Sequence, residues 1–238
     1  MKKDKIGITE RGDAGIHFDW VEKVDGVLGV ILITKNINDK FIEKVLEYKD
    51  KIIVHATITG MGGTVIEPNV PDLNLSYYKV LNLIKAGFPL EQIVLRIDPI
   101  IPTGKGLHTA NEVLLLFKDT GIKRVRVSFC DMYKHVKERF KKAGIKIPYN
   151  YSPTKEMIKN TTELFESYSN YYDFETCAEE LPFQVGCISQ KDMDVLNLNH
   201  SLKGSSNQRK GCMCPSNKLE LLNYPTRCKH KYLYCYWK

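Results

Sequence analysis

Four cysteines crowd the last 27 residues: Cys212, Cys214, Cys228 and Cys235. Their spacing is C-x-C, then thirteen residues, then C-x6-C. Two thiol pairs separated by a loop can converge on one centre, and thiolates suit zinc or an iron–sulfur cluster. Neither pair has the usual zinc spacing of two to four intervening residues. Nearby cations lower thiol pKa values and make bare thiols prone to oxidation, which favours ligation of this set. The other three cysteines, Cys130, Cys177 and Cys187, are spread through the body of the chain. Cys177 lies in ETCAEE between Glu175 and Glu179. Neighbouring carboxylates raise a thiol pKa, so Cys177 reads as a hydrogen-atom donor at a reaction centre, or as a small buried hydrophobe. Cys187 reads as a further ligand or a core residue. His230 lies inside the cysteine loop but shares no metal spacing with another histidine.

Charge is as lopsided as cysteine. The chain has 238 residues and a formal net charge of +7. Residues 201–238 hold eight Lys/Arg and one acid, while residues 1–200 hold 27 of each sign. All the excess charge therefore sits on the tail, where Tyr224, Tyr232, Tyr234, Tyr236 and Trp237 are interleaved. Such a segment can contact phosphates and stack bases. The same rings can instead pack over a metal centre.

These groups need a scaffold. Hydrophobic residues are 43% and charged residues 26% of the chain, a globular balance that excludes wholesale disorder. No run of about 18 apolar residues marks a membrane span. The first residues, MKKDKIGITERGD, carry no apolar stretch, so a secretory signal is not read and a cytoplasmic, reduced chain is expected. Apolar runs at Lys5–Thr9, Gly26–Thr34, Lys51–Thr59, Gln92–Ile97, Arg124–Phe129 and Tyr172–Thr176 read as strands, with Val185–Ile188 as a further short one. Asp39–Tyr48, Leu75–Ala86, Thr109–Asp119 and Pro153–Ser169 read as helices between them. Strands joined by helices imply parallel pairing with right-handed crossovers. The expected fold is therefore α/β: a partial or complete parallel β/α barrel over residues 1–200, with a cysteine-rich basic tail, 201–238, at the barrel mouth. An open doubly wound sheet is the competitor, but no GxGxxG follows the first strand. In such barrels the site lies at the C-terminal ends of the strands. Arg96 and Asp98 lie there inside an apolar run, where unpaired charge is costly. The glycine run at 60, 62 and 63 reads either as a close approach to a ligand or as a flexible turn.

An ordered set of segments carries a resemblance: ITERGD, LITKN, TITGMGGTVIEPNVP, LRIDPIIP, VSF, ETCAE, VGCIS, NQRKGCMC and CKHKYLYCYW. The chain resembles the family called domain of unknown function 1848 along nearly its whole length. That family is similar to radical S-adenosylmethionine proteins of the spore photoproduct lyase and DNA repair photolyase type. The resemblance implies a [4Fe–4S] cluster with one open iron, S-adenosylmethionine as cofactor and an electron donor as partner. It also implies a nucleic acid base or a nucleotide-derived small molecule as substrate. By resemblance, Thr59, Glu67, Arg96 and Asp98 face the cofactor. The chain departs from the family's C-x3-C-x2-C ending at its middle position, where Tyr232 stands between Cys228 and Cys235. Two thiolates from this loop do not make a three-cysteine cluster. Cys212 or Cys214 then supplies a third ligand, or all four tail thiols close one zinc or iron–sulfur site, or the cluster has been lost. A closed zinc site would fit another enzyme class or a non-catalytic nucleic-acid-binding protein.

Overall fold

The computed structural model describes residues 4–202, 204 and 211–238; Lys203, Arg209 and Lys210, part of the tail's basic charge, lie outside the described residues. Seven strands form one all-parallel sheet: β1 (Ile6–Ile8), β2 (Val30–Thr34), β3 (Ile52–Thr57), β4 (Ile93–Ile100), β5 (Arg124–Phe129), β6 (Asp173–Thr176) and β7 (Lys218–Glu220). Their order is β6-β5-β4-β3-β2-β1-β7. The first six strands are laid down in sequence order without reversal, so the doubly wound competitor is set aside. The expectation of a complete barrel is corrected as well. Among the described residues no ladder joins β6 to β7, and the sheet is open.

The helices are α1 (Asp39–Glu47), α2 (Leu73–Lys85), α3 (Gly104–Phe117), α4 (Lys134–Lys142), α5 (Lys155–Ser167) and α6 (Gln190–Val195). Side chains alternate across a strand, and each strand here sorts its residues accordingly. Val30, Leu32, Ile52, Val54, Leu95, Val125, Val127 and Phe174 face one way and pack with Phe41 of α1, Val80 and Leu83 of α2, Val113 and Phe117 of α3 and Phe165 of α5. Ile6, Ile8, Ile31, Ile53 and Val94 face the other way and meet Ile188, Met193 and Leu196 around α6. On that second face the same alternation places His55, Arg96, Asp98, Arg124, Arg126, Ser128 and Glu175. One face of the sheet is thus apolar except for Thr34 and Thr176 at strand ends, and the other turns polar from β3 to β6. Among the described residues, no helix is long and apolar enough to cross a membrane.

The side chain of the residue before the first turn caps α1, α2, α3 and α5. Asn38 accepts from Phe41 N–H, Asp72 from Leu75 N–H, Thr103 from Gly106 N–H and Thr154 from Met157 N–H. The Thr103 cap explains why α3 begins five residues before the sequence expectation. Gly104 and Gly106 weaken the helical pattern there, yet a Cβ at 106 would lie 1.8 Å from the Ile101 carbonyl oxygen. The Val185–Ile188 strand does not form. Gly186 interrupts it, and the pairing nearby is a single bridge between Thr176 and Gln184. Replacing the exposed cap Asp72 by alanine is expected to cost about 1 kcal/mol, read as a lower urea midpoint at constant slope. An unchanged midpoint would mean that the first turn of α2 is held by packing alone.

Candidate metal centre

Three cysteines from three segments converge. Cys177 follows the end of β6, Cys187 precedes α6, and Cys214 precedes β7 in the tail. Their Sγ atoms all lie within 4.8 Å of one another. Cys177 and Cys214 are buried and Cys187 is half-buried. Local structure brings them together in three steps. First, the chain after β6 folds back on itself: Thr176 N–H donates to Phe183 O and Val185 N–H to Thr176 O. Ala178 takes a left-handed conformation, φ 57°, at the turn beside Cys177. Second, Arg126 Nη1 donates to Gly186 O at 2.9 Å and so anchors the Cys187 loop. Third, Gly186 lets the tail approach, because a Cβ there would lie 2.7 Å from Met213 O.

The thiols are polarised toward ligation. Cys187 N–H donates to Cys214 Sγ at 3.2 Å, and Lys218 Nζ lies 3.9 Å from the same sulfur. Hydrogen bonds from the Cys187 and Cys214 thiols pull Cys177 well below the ordinary thiol range. The same contacts, with burial, push Cys214 up. Cys177 and Cys214 therefore titrate as a coupled pair, the first proton leaving readily and the second reluctantly. The expectation that neighbouring carboxylates raise Cys177 is corrected, because the thiol contacts outweigh any such effect, and Glu175 is engaged elsewhere. Its carboxylate takes Arg124 Nε at 2.8 Å and Arg126 Nη2 at 2.5 Å, while Arg124 also reaches Asp192 at 2.6 Å. Asp192 in turn receives Ser189 N–H at the start of α6. All four charged side chains are at most 6% exposed. Burial alone would raise Glu175, but the two guanidiniums outweigh it and hold the carboxyl below its usual range. His55 beside them is fully buried, and both ring nitrogens lack a partner among the described residues. Burial and the three arginines, Arg126, Arg96 and Arg124, keep it neutral.

A second group of predicted residues gathers at the ends of β3 and β4. Glu67 is fully buried, and its Oε1 accepts from Thr59 Oγ1 at 2.8 Å, Lys35 Nζ at 3.1 Å and the Tyr234 hydroxyl. Its Oε2 has no partner among the described residues. The glycine run delivers Glu67 by turning tightly: Gly60 and Gly63 have φ 76° and 74°, and a Cβ at Gly62 would lie 1.8 Å from Pro71 O. Arg96 pairs with Asp98, Nε to Oδ2 at 2.8 Å, and Ser128 Oγ donates to Asp98 Oδ1 at 2.5 Å. Burial would raise Asp98, yet Arg96 and Ser128 hold it below the ordinary carboxylate range.

Cys228 and Cys235 lie on the C-terminal loop against this second group. His230 Nε2 is 2.9 Å from Asp13 Oδ2, Asn69 Nδ2 donates to Lys229 O at 2.7 Å, and Leu233 N–H donates to Ile66 O at 2.9 Å. Tyr232 stacks on Tyr234 with centroids 4.6 Å apart, and Lys35 Nζ caps both rings at 5.8 and 5.7 Å. Burial pushes both loop thiols up. Of the four tail cysteines, Cys214 enters the three-thiol group. Cys212 lies outside the 4.8 Å set but close enough for its charge to act on Cys177. The sequence alone offers Cys187 as a further ligand or a core residue and gives Cys177 another role; the three-thiol group brings both beside Cys214, together with Arg124, Arg126 and Asp192, which carry no sequence motif. The signal for the arginines was present: charge at alternate positions of an apolar strand, RVRVSF, needs buried partners.

A family model described as domain of unknown function (DUF1848) matches residues 19–237. That span is nearly the whole chain, so the chain belongs to this family. No curated protein matches it.

Proposed function

We propose that this member of the domain of unknown function 1848 family holds one zinc ion through Cys177, Cys187 and Cys214, with Cys212 as the fourth thiolate. The ion's role in this reading is structural: it ties the tail to the open end of the sheet. The supporting observation is the sulfur spacing. Four thiolates around one ion at 2.3 Å stand about 3.8 Å apart in a tetrahedron, and the three sulfurs lie within 4.8 Å of one another. In a four-iron cluster each thiolate binds a different iron, which spreads the sulfurs farther apart. Lys218 and Arg96 supply positive charge beside Cys187 and offset the excess negative charge of a four-thiolate site. In this reading the sheet serves as a partial barrel, and its polar face carries any reaction site.

The second reading is an iron–sulfur, radical S-adenosylmethionine-like enzyme acting on a nucleic acid base or a nucleotide-derived molecule. One observation favours it: the Cys228–Cys235 loop bonds Glu67, which Thr59 also bonds, and the resemblance assigns both residues to the cofactor. Against it, the loop offers two thiols, and the ring of Tyr232 fills the third place, stacked on Tyr234.

Metal and sulfide analysis after anaerobic purification separates the two. One zinc per chain without sulfide is the expected result; about four irons with matching sulfide would replace the first reading by the second. The variant Tyr232→Cys restores three thiols to the loop. The second reading expects this variant to gain iron and sulfide, and an unchanged iron content would remove its support.

A further inference from the structure

We propose that α4 and the loop after it form a docking surface for single-stranded nucleic acid, separate from the cysteine-rich tail. Residues 1–200 carry no net charge, yet α4 concentrates Lys134, Lys137, Arg139, Lys141 and Lys142 against one acid, Glu138. Its two faces are sorted. Val136 and Phe140 are buried in a small apolar cluster with Met132 and Tyr149. Lys134, Lys137 and Lys141, at helical spacings of three and four, share an outward stripe. These three lysines line a groove of about 480 Å³ whose other walls are Glu138, Ile147, Tyr149 and Asn150. Such a stripe is matched by a run of backbone phosphates.

Exposed rings adjoin the groove. Tyr133 is 38% and Tyr151 47% exposed. Tyr133 stacks on His135 with centroids 5.8 Å apart and meets Tyr151 edge-on at 5.4 Å. Rings fixed by neighbours beside a cationic groove suit bases that lie off a phosphate track, because every base has a face to stack. The opposite side of α4 connects this surface to the strand-end group. Arg139 donates to the carbonyl oxygens of Cys235 and Trp237, which fixes that side of α4 against the C-terminal loop and leaves the lysine stripe on the other.

The test is fluorescence anisotropy of the full chain with a labelled thymidine strand of about twelve nucleotides. Three phosphate contacts predict a slope near −2 in log affinity against log salt, about a 20-fold loss between 50 and 200 mM. The paired change Lys137→Glu with Lys141→Glu is expected to weaken binding at least tenfold and to flatten the slope. Tyr133→Ala and Tyr151→Ala are each expected to weaken it about fivefold or more with the slope kept. These positions lie outside the Cys177–Cys187–Cys214 group, so zinc content serves as the control for folding. The proposal is overturned if the strand does not bind at low salt. It is overturned equally if the α4 reversal leaves binding intact while Lys229→Glu with Lys231→Glu abolishes it. Binding of phosphatidylserine vesicles in place of the strand would also overturn it.

Discussion

Replacing Cys214 by serine is expected to empty the metal centre and lower the melting temperature by roughly 10 °C. The size of the effect follows from linkage. A ligand at a thousandfold excess over its dissociation constant stabilises the folded chain by about 4 kcal/mol, and a domain of this length shifts by about 2–4 °C per kcal/mol. Thiolate zinc sites bind more tightly than that, so the estimate is a floor. The contrast between cysteines makes the prediction specific. Cys177→Ser and Cys187→Ser are expected to behave like Cys214→Ser, because the three sulfurs share one centre. Cys228→Ser is expected to keep the full zinc content, because Cys228 lies on the loop that contacts Asp13 and Asn69. Zinc lost equally from Cys228→Ser and Cys214→Ser would show instead that the four tail thiols act as one site.

Glu175→Gln is expected to destabilise the fold by about 3–5 kcal/mol, because it leaves two guanidiniums buried with one fewer carboxylate. Chemical denaturation measures this. The pH dependence gives a second readout. The folded carboxyl lies below its unfolded value, so its contribution is complete above that unfolded value, near 4.5, and is lost as pH falls through the lower folded one. Wild type is therefore expected to lose stability more steeply than Glu175→Gln as pH falls from about 5 toward 3. The variant also releases Arg126, which anchors the Cys187 loop through Gly186 O, so faster zinc loss to a chelator is expected. A denaturation midpoint and acid limb equal to wild type would mean that Asp192 alone neutralises the arginines.

Most of the scaffold was legible because its signals are local. Six apolar runs and four amphipathic stretches map onto β1–β6 and α1, α2, α3 and α5. The elements that escaped are those whose support is distant. α4 is so basic, KHVKERFKK, that Val136 and Phe140 hardly register as a face. α6 is six residues long and is fixed by the Ser189–Asp192 cap and by Arg124. β7 has three residues and exists through pairing with β1, more than two hundred positions away. The site was legible in the same measure. Tail spacing singled out Cys214 with the other three tail thiols, strand-end position singled out Thr59, Arg96 and Asp98, and Glu67 entered through the resemblance. The union of Cys214 with Cys177 and Cys187 depends on where β6, the Gly186 turn and β7 meet, and sequence spacing does not record that.

X-ray absorption at the zinc edge of the purified chain tests the metal assignment most directly. A single shell of four sulfurs at about 2.3 Å is expected, reduced in amplitude in Cys212→Ser. A first shell of nitrogen and oxygen near 2.0 Å, or an iron edge with short iron–iron scattering in its place, would contradict it.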